Sequence, residues 1–182
     1  MSFVITTPLY YVNDKPHLGS IYTTLICDAI ARYKRLCGEE VIFITGVDEH
    51  GLKIQRTAVN KGVEPKDHCD EISNIFLKNW IEWDITHNKF IRTSSKHHES
   101  IVSEFYSRVR KSDDIYMGNQ KGWYCVGCEE FKDNPDNSPT HKCPIHQKTL
   151  EWKNEENLFF RLSKYQSQIE ELINTPSFIL PK

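Results

Sequence analysis

The sequence predicts an α/β fold built on a parallel sheet, with a smaller segment of different texture set into its second half. Three observations predict it. A short apolar strand at Phe3, Val4 and Ile5 leads through a polar loop to a segment of helical period. That segment is followed by the unbroken apolar run Val41-Ile42-Phe43-Ile44, the pattern of a strand buried on both faces in a parallel sheet. Strand, helix and strand in this order make a βαβ unit with a right-handed crossover. Beyond Asp113-Asp114 the chain becomes aromatic and turn-rich as far as Trp152, and two pairs of like spacing stand there, Cys125-x-x-Cys128 and Cys143-x-x-His146.

Composition bounds the function. The chain has 182 residues, 38% hydrophobic and 26% charged, enough to bury a core and too apolar for a disordered chain. A net charge of -2 excludes coating of nucleic acid by charge alone, so a polyanion would be read locally. No apolar run approaches the roughly 18 residues of a membrane span. Strand-like sequence starts at Phe3, which leaves no room for a targeting peptide. The expectation is a cytoplasmic protein with no membrane partner. Six cysteines without a secretory signal favour thiols or metal over disulfides, and Cys27, Cys37 and Cys69 read as isolated helical thiols.

In chain order, Ile21, Leu25, Ala29 and Tyr33, with Ile26 and Ile30 beside them, repeat at a period close to 3.6 and predict a core-facing helix. It ends at Cys37-Gly38, where Gly38 suits a left-handed cap. Thr45–Gly51, TGVDEHG, falls where the second strand ends. Leu52–Lys61 reads as a helix closed by Gly62. Pro65 opens a longer one with His68, Ile72, Phe76 and Trp80 on one face. Phe90-Ile91 is a short strand. Ser94 or Ser95 caps a helix to Lys111, with Ile101, Phe105 and Val109 in register and Arg108, Arg110 and Lys111 on a solvated face. From Asn157 a helical pattern returns through Leu162, Tyr165, Ile169, Leu172 and Ile173. The expected division is 1–114 and 115–182.

Ligands of open parallel sheets gather beyond the carboxyl ends of the strands, where the loop after the first strand and TGVDEHG face one pocket. His17-Leu18-Gly19-Ser20 directly precedes the first helix, so backbone amides and the positive end of the helix dipole meet any phosphate placed there. Gly19 permits close backbone approach, and His17 and Ser20 can donate hydrogen bonds to phosphate. A lone His and a Ser at a helix start serve equally as structural caps. Asp48 has two readings, a cap for the next helix or a partner for a substrate ammonium. Leu9, Tyr10 and Tyr11 read as core or as pocket wall.

Each cysteine-containing pair can take one edge of a tetrahedron, so Cys125, Cys128, Cys143 and His146 form a zinc knuckle by spacing. Three thiolates and an imidazole leave no open position, which makes the ion structural. His141 is the competing nitrogen ligand and breaks the paired spacing. The loop EEFKDNPDNSPTHK is too polar to fold by burial, so the metal holds the segment.

Taken together, TTPLYYVNDKPHLGS, FITGVDEHG, FIRTSSKHHE, YCVGCEEF and CPIH resemble, in order and over essentially the whole chain, the N-terminal part of the methionyl-tRNA synthetases. The resemblance implies the first half of a Rossmann-type catalytic domain with a zinc-bearing connective insert. It implies ATP-dependent activation of methionine, with Mg2+ as the counter-ion of ATP, and transfer to tRNA(Met). In that reading His17, Gly19 and Ser20 contact ATP, Asp48 pairs with the methionine amino group, Leu9 and Tyr11 line its side-chain pocket, and Cys125, Cys128, Cys143 and His146 hold zinc. Ser20 stands where the family's signature most often carries a second His. The family's lysine loop and anticodon-binding domain are not among these residues, which implies a fragment with little activity alone. The alternative is a non-catalytic zinc-knuckle module that binds RNA or protein on a relic nucleotide fold.

Overall fold

The structure, a computed structural model, describes residues 2–133 and 138–179. Residues 134–137, in the loop between the Cys125/Cys128 and Cys143/His146 pairs, and residues 180–182 lie outside them. The chain forms two compact units, divided at Ile101/Val102.

The first unit is built on β3 (Glu40–Asp48). β1 (Ser2–Thr6) pairs with its first half in parallel, from Ser2↔Glu40 to Thr6↔Ile44. β2 (Tyr10–Tyr11) continues on the same side, opposite Val47 and Asp48, and β4 (Lys89–Arg92) pairs in parallel with Ile44–Val47 on the other side. The polar segment from Thr45 to Asp48, expected as loop, therefore belongs to the strand. Gly46 makes the β3–β4 approach possible, because a Cβ there would meet the Ile91 carbonyl oxygen at 2.2 Å.

Three helices cover one face of this sheet: α1 (Leu18–Leu36), α2 (Leu52–Lys61) and α3 (Pro65–Glu82). Their core joins Cys27 and Ala31 of α1, Ile54 of α2, and Ile72, Phe76 and Trp80 of α3 to Val41, Phe43 and Val47 of β3. α3 buries the predicted stripe of His68, Ile72, Phe76 and Trp80, and α2 ends at Gly62 with φ 70°.

α1 keeps the predicted period but turns its other side inward. Its buried residues are Ser20, Thr24, Cys27, Asp28 and Ala31, while Leu25, Ile26, Ile30 and Tyr33 are exposed. Small side chains let the helix axis come close to the sheet. The one charge among them is fully engaged: the Thr86 amide and hydroxyl donate to Asp28 Oδ1 at 2.7 and 2.6 Å, and Arg32 Nε donates to Oδ2 at 2.6 Å. The apolar run of β3 is likewise buried on one face. Its residue Ile42 and the register partner Val4 point the other way and are 37% and 55% exposed.

The division between the units falls within α4 (Lys96–Lys111), which buries none of its residues. The Ile101 and Phe105 stripe expected to face a core is exposed. In the second unit β5 (Ile115–Cys125) pairs antiparallel with β7 (Glu151–Phe160) from Ile115↔Phe160 to Tyr124↔Glu151, and its end also pairs with β6 (Glu130–Lys132). Asn157–Phe160, expected in a helix, is the end of β7; the helical pattern begins later, with a 3₁₀ turn at Leu162–Tyr165 and α5 (Gln166–Asn174). The strand wins there because Tyr116 stacks on Phe159 at 5.7 Å and Phe160 on Tyr165 at 5.7 Å. No helix among the described residues is long and apolar enough to cross a membrane.

Asp114 fastens the start of β5 to the turn after β7. It accepts hydrogen bonds from Lys164 Nζ at 2.6 Å, Ser112 Oγ at 2.6 Å and Tyr165 Oη at 2.5 Å, which lower its carboxyl to about 2. Its unfolded value is about 3.9. This stabilisation is complete above about pH 4 and is lost as pH falls through about 2. Amide protection of β5 and β7 should decline across that acid window, and Asp114→Asn should remove the Asp114-dependent part of the decline. For the first unit, Gly46→Ala should destabilise by about 3 kcal/mol, the upper range for overpacking, as read from denaturant unfolding.

Candidate functional site

The turn into α1 is closed by its own signature residues. The Gly19 amide donates to His17 Nδ1 at 3.0 Å, and the His17 amide donates to Ser20 Oγ at 3.0 Å. Ser20 Oγ in turn donates to the His17 carbonyl at 2.8 Å. An imidazole accepting at Nδ1 carries its proton on Nε2, so His17 caps the helix on one side and offers an N–H donor on the other. Ser20 is 2% exposed, and its single proton goes to the turn. A Cβ on Gly19 would meet His17 Cε1 at 2.9 Å, so the Nδ1–Cε1 edge of the ring lies against this glycine.

Leu9, Tyr11, His17 and Ser20 line one cavity of about 360 Å³, together with Tyr10, Asn13, Asp14, Lys15, Lys53 and Phe76. The two tyrosines divide. Tyr10 belongs to the core: its hydroxyl donates to the Ser20 carbonyl at 3.1 Å and shares a hydrogen bond with Thr24 at 2.8 Å, and its ring stacks on Phe76 at 5.7 Å. Tyr11 is pocket wall, with Lys53 Nζ 5.9 Å from its ring centre. Gly19 does not line the cavity and acts through the turn.

Lys53 and Lys15 were not legible as site residues in the sequence, though Lys53 carries a signal. It sits in the first turn of α2, where the helix dipole disfavours a cation, and that turn has no acidic residue and no side-chain cap. The result is a positively charged corner at the cavity.

Asp48 ends β3 as the register partner of Tyr11. It does not cap α2, whose N-cap is Gly51. The amide of His50 and the hydroxyl of Thr93 both donate to its Oδ1, at 3.2 and 3.3 Å. The next residue, Glu49, points inward and is buried. Arg92 Nε and Ser73 Oγ both donate to Glu49 Oε1, at 2.8 and 2.6 Å, while the Ser94 hydroxyl donates to Oε2. Burial pushes the Glu49 carboxyl up, and Arg92 with the two serines more than offsets it, leaving it below the ordinary value.

In the second unit Cys125, Cys128, Cys143 and His146 converge, with their ligand atoms all within 4.8 Å of one another. Cys128 Sγ lies 3.6 Å from Cys143 Sγ, and His146 Nδ1 lies 3.8, 3.3 and 3.9 Å from the sulfurs of Cys125, Cys128 and Cys143. A tetrahedral ion with thiolates at about 2.3 Å sets its ligands about 3.8 Å apart, so this donor set fits a metal. Gly127 lets the His146 ring lie on the first pair, since a Cβ there would meet His146 Cγ at 2.7 Å. Amides of His146 and Ile145, with the His146 ring, hold the Cys143 thiol below its ordinary range. His141 is outside the cluster, and its carbonyl accepts from the Leu150 amide at 2.9 Å.

Residues 3–147 match the profile of a family described as tRNA synthetases class I (M). The methionine–tRNA ligase of Nostoc sp. is 52% identical over 183 residues, covering 100% of this chain and 34% of the ligase. The chloroplastic/mitochondrial methionine–tRNA ligase of Arabidopsis thaliana is 50% identical, over 99% of this chain and 29% of its own length. The Mycobacterium tuberculosis methionyl-tRNA synthetase, solved with methionyl-adenylate, superposes at a TM-score of 0.91 and 34% identity, over 100% of this chain and 37% of that one. The chain spans about a third of the length of the curated relatives it matches. The His17 turn, the Tyr11–Asp48 register pair and the Cys/His cluster thus occur within a family match that takes in most of the sequence, and the chain belongs to the class I tRNA synthetases of the methionyl type.

Proposed function

We propose that these residues carry the ATP-facing part and the metal knuckle of a methionine–tRNA ligase, with 1–114 as catalytic domain and 115–182 as connective insert. The observation that carries this reading is the single cavity lined both by His17 of the closed helix turn and by Tyr11, the register partner of Asp48. The likeness to a synthetase solved with methionyl-adenylate supports it.

In this reading the methionine carboxylate attacks the α-phosphorus of ATP, pyrophosphate leaves, and a terminal ribose hydroxyl of tRNA(Met) then displaces AMP from the adenylate. Such chemistry asks the protein for position and charge neutralisation rather than for a nucleophile. His17 donates Nε2–H to a phosphate oxygen, and Gly19 and Ser20 hold that ring in place. Lys15 and Lys53 offset phosphate charge, which Mg2+ accompanies as the counter-ion of ATP. Asp48 takes the methionine ammonium, and Leu9 and Tyr11 flank the side chain.

The ion suited to three thiolates and one imidazole is zinc, and with four protein ligands it supplies folding stability and no open position for catalysis. Thiols kept reduced for it accord with a cytoplasmic setting. Chelation should abolish amide protection from Tyr116 to Trp152 while α3 and β3 keep theirs; retained protection in the knuckle would count against a folding role for the ion.

The full-length protein should catalyse methionine-dependent ATP–pyrophosphate exchange, and Asp48→Asn should lower kcat/KM for methionine about tenfold or more, the worth of a charge-assisted hydrogen bond. Absence of methionine-dependent exchange, with binding of RNA or protein alone, would replace this reading by a non-catalytic knuckle module. These 182 residues by themselves should show little or no exchange, since the relatives carry about two-thirds of their length elsewhere.

A further inference from the structure

We infer that Thr93 is a positioning residue for the methionine site: its hydroxyl turns the Asp48 carboxylate so that one oxygen is left for the substrate ammonium. The inference rests on the proposed pairing of Asp48 with that ammonium.

The direction of the hydrogen bonds carries it. The Glu49 amide donates to Thr93 Oγ1 at 2.9 Å. A hydroxyl that already accepts has its single proton available, and the Asp48 Oδ1 atom lies 3.3 Å away. The His50 amide donates to the same oxygen at 3.2 Å. Two donors on Oδ1 set the plane of the carboxylate, and Oδ2 becomes the oxygen that meets a ligand. Without them the terminal torsion of an Asp is broad, and a half-buried carboxylate at a strand end has several orientations open to it.

Thr93 is itself held on every side. It is 7% exposed, its amide donates to the Val47 carbonyl at 3.3 Å, and its carbonyl lies 3.3 Å from His50 Nε2. Its neighbours Arg92 and Ser94 both bind Glu49. The segment after β4 is therefore fastened before and after Thr93, which makes the hydroxyl a fixed reference against which Asp48 is set. Fixing a binding group in advance removes the ordering cost from the binding step.

The test uses Thr93→Val, which keeps the shape and removes the hydroxyl, and Thr93→Ser, which restores it, in the full-length protein. Thr93→Val should raise KM for methionine about tenfold with KM for ATP unchanged, and Thr93→Ser should return methionine KM to within about twofold of the parent. In an Asp48→Asn background Thr93→Val should add no further loss for methionine. Equal methionine KM in parent and Thr93→Val, or a matched rise for methionine and ATP, would overturn the inference. Because the valine leaves the buried Glu49 amide unpaired and can cost folding, a measurement on the unaltered protein stands beside it: a deuterium isotope shift from the Thr93 hydroxyl on the Asp48 carboxyl carbon. Its absence also overturns the inference. If the shift is present but the parent shows no methionine dependence, the anchoring stands and the proposed substrate falls.

Discussion

The carboxyl end of the sheet depends on one buried ion pair. Removing the Glu49 carboxylate from water is costly, and an incomplete set of partners would leave a net penalty. Here the set is filled from three directions: Arg92 from β4, Ser73 from α3, and Ser94 from the turn into α4. Arg92 also reaches Asp70 of α3, and Lys66 in turn pairs with Asp70. A pair so arranged is specific because each element must be in place for any of the others to be satisfied. It fixes β3, β4 and α3 against one another at the strand end that carries Asp48, whose register partner Tyr11 lines the cavity.

Around that fixed edge the site uses local backbone chemistry. The α1 turn needs no acidic cap because a neutral imidazole does the capping. α2 begins with neither a cap nor an acid and adds Lys53, an arrangement that costs helix stability on the order of 0.5 kcal/mol. A cost of that kind beside a cavity is intelligible if the positive potential is used on an anion. Tyr10, by contrast, belongs to the scaffold, joining the first loop to α3 through Phe76 and Trp80.

Much of this was legible in the residues. The period of α3, the stop at Gly62 and the convergence of Cys125, Cys128, Cys143 and His146 follow from local rules that act over a few residues. For α1 the period was legible and the phase was not: both sides carry side chains that can be buried, and the choice of Ser20, Thr24 and Ala31 reflects how closely the helix approaches the sheet. Asn157–Phe160 carried no local strand signal, and its state is set by pairing with Ile115–Gly118, some forty residues away. The bonds of Thr93 to Asp48 and of Arg92 to Glu49 join positions separated by 45 and 43 residues, so no spacing rule could have disclosed them.

The double use of one imidazole at the α1 turn has a consequence for how mutational data from this site are read. Alanine at position 17 would delete a donor facing the cavity and at the same time uncap a helix of 19 residues, so the loss would overstate the chemistry. Asparagine is among the best N-cap residues and can keep the turn while withdrawing the ring. The difference between the two substitutions, and neither alone, apportions His17 between architecture and reaction.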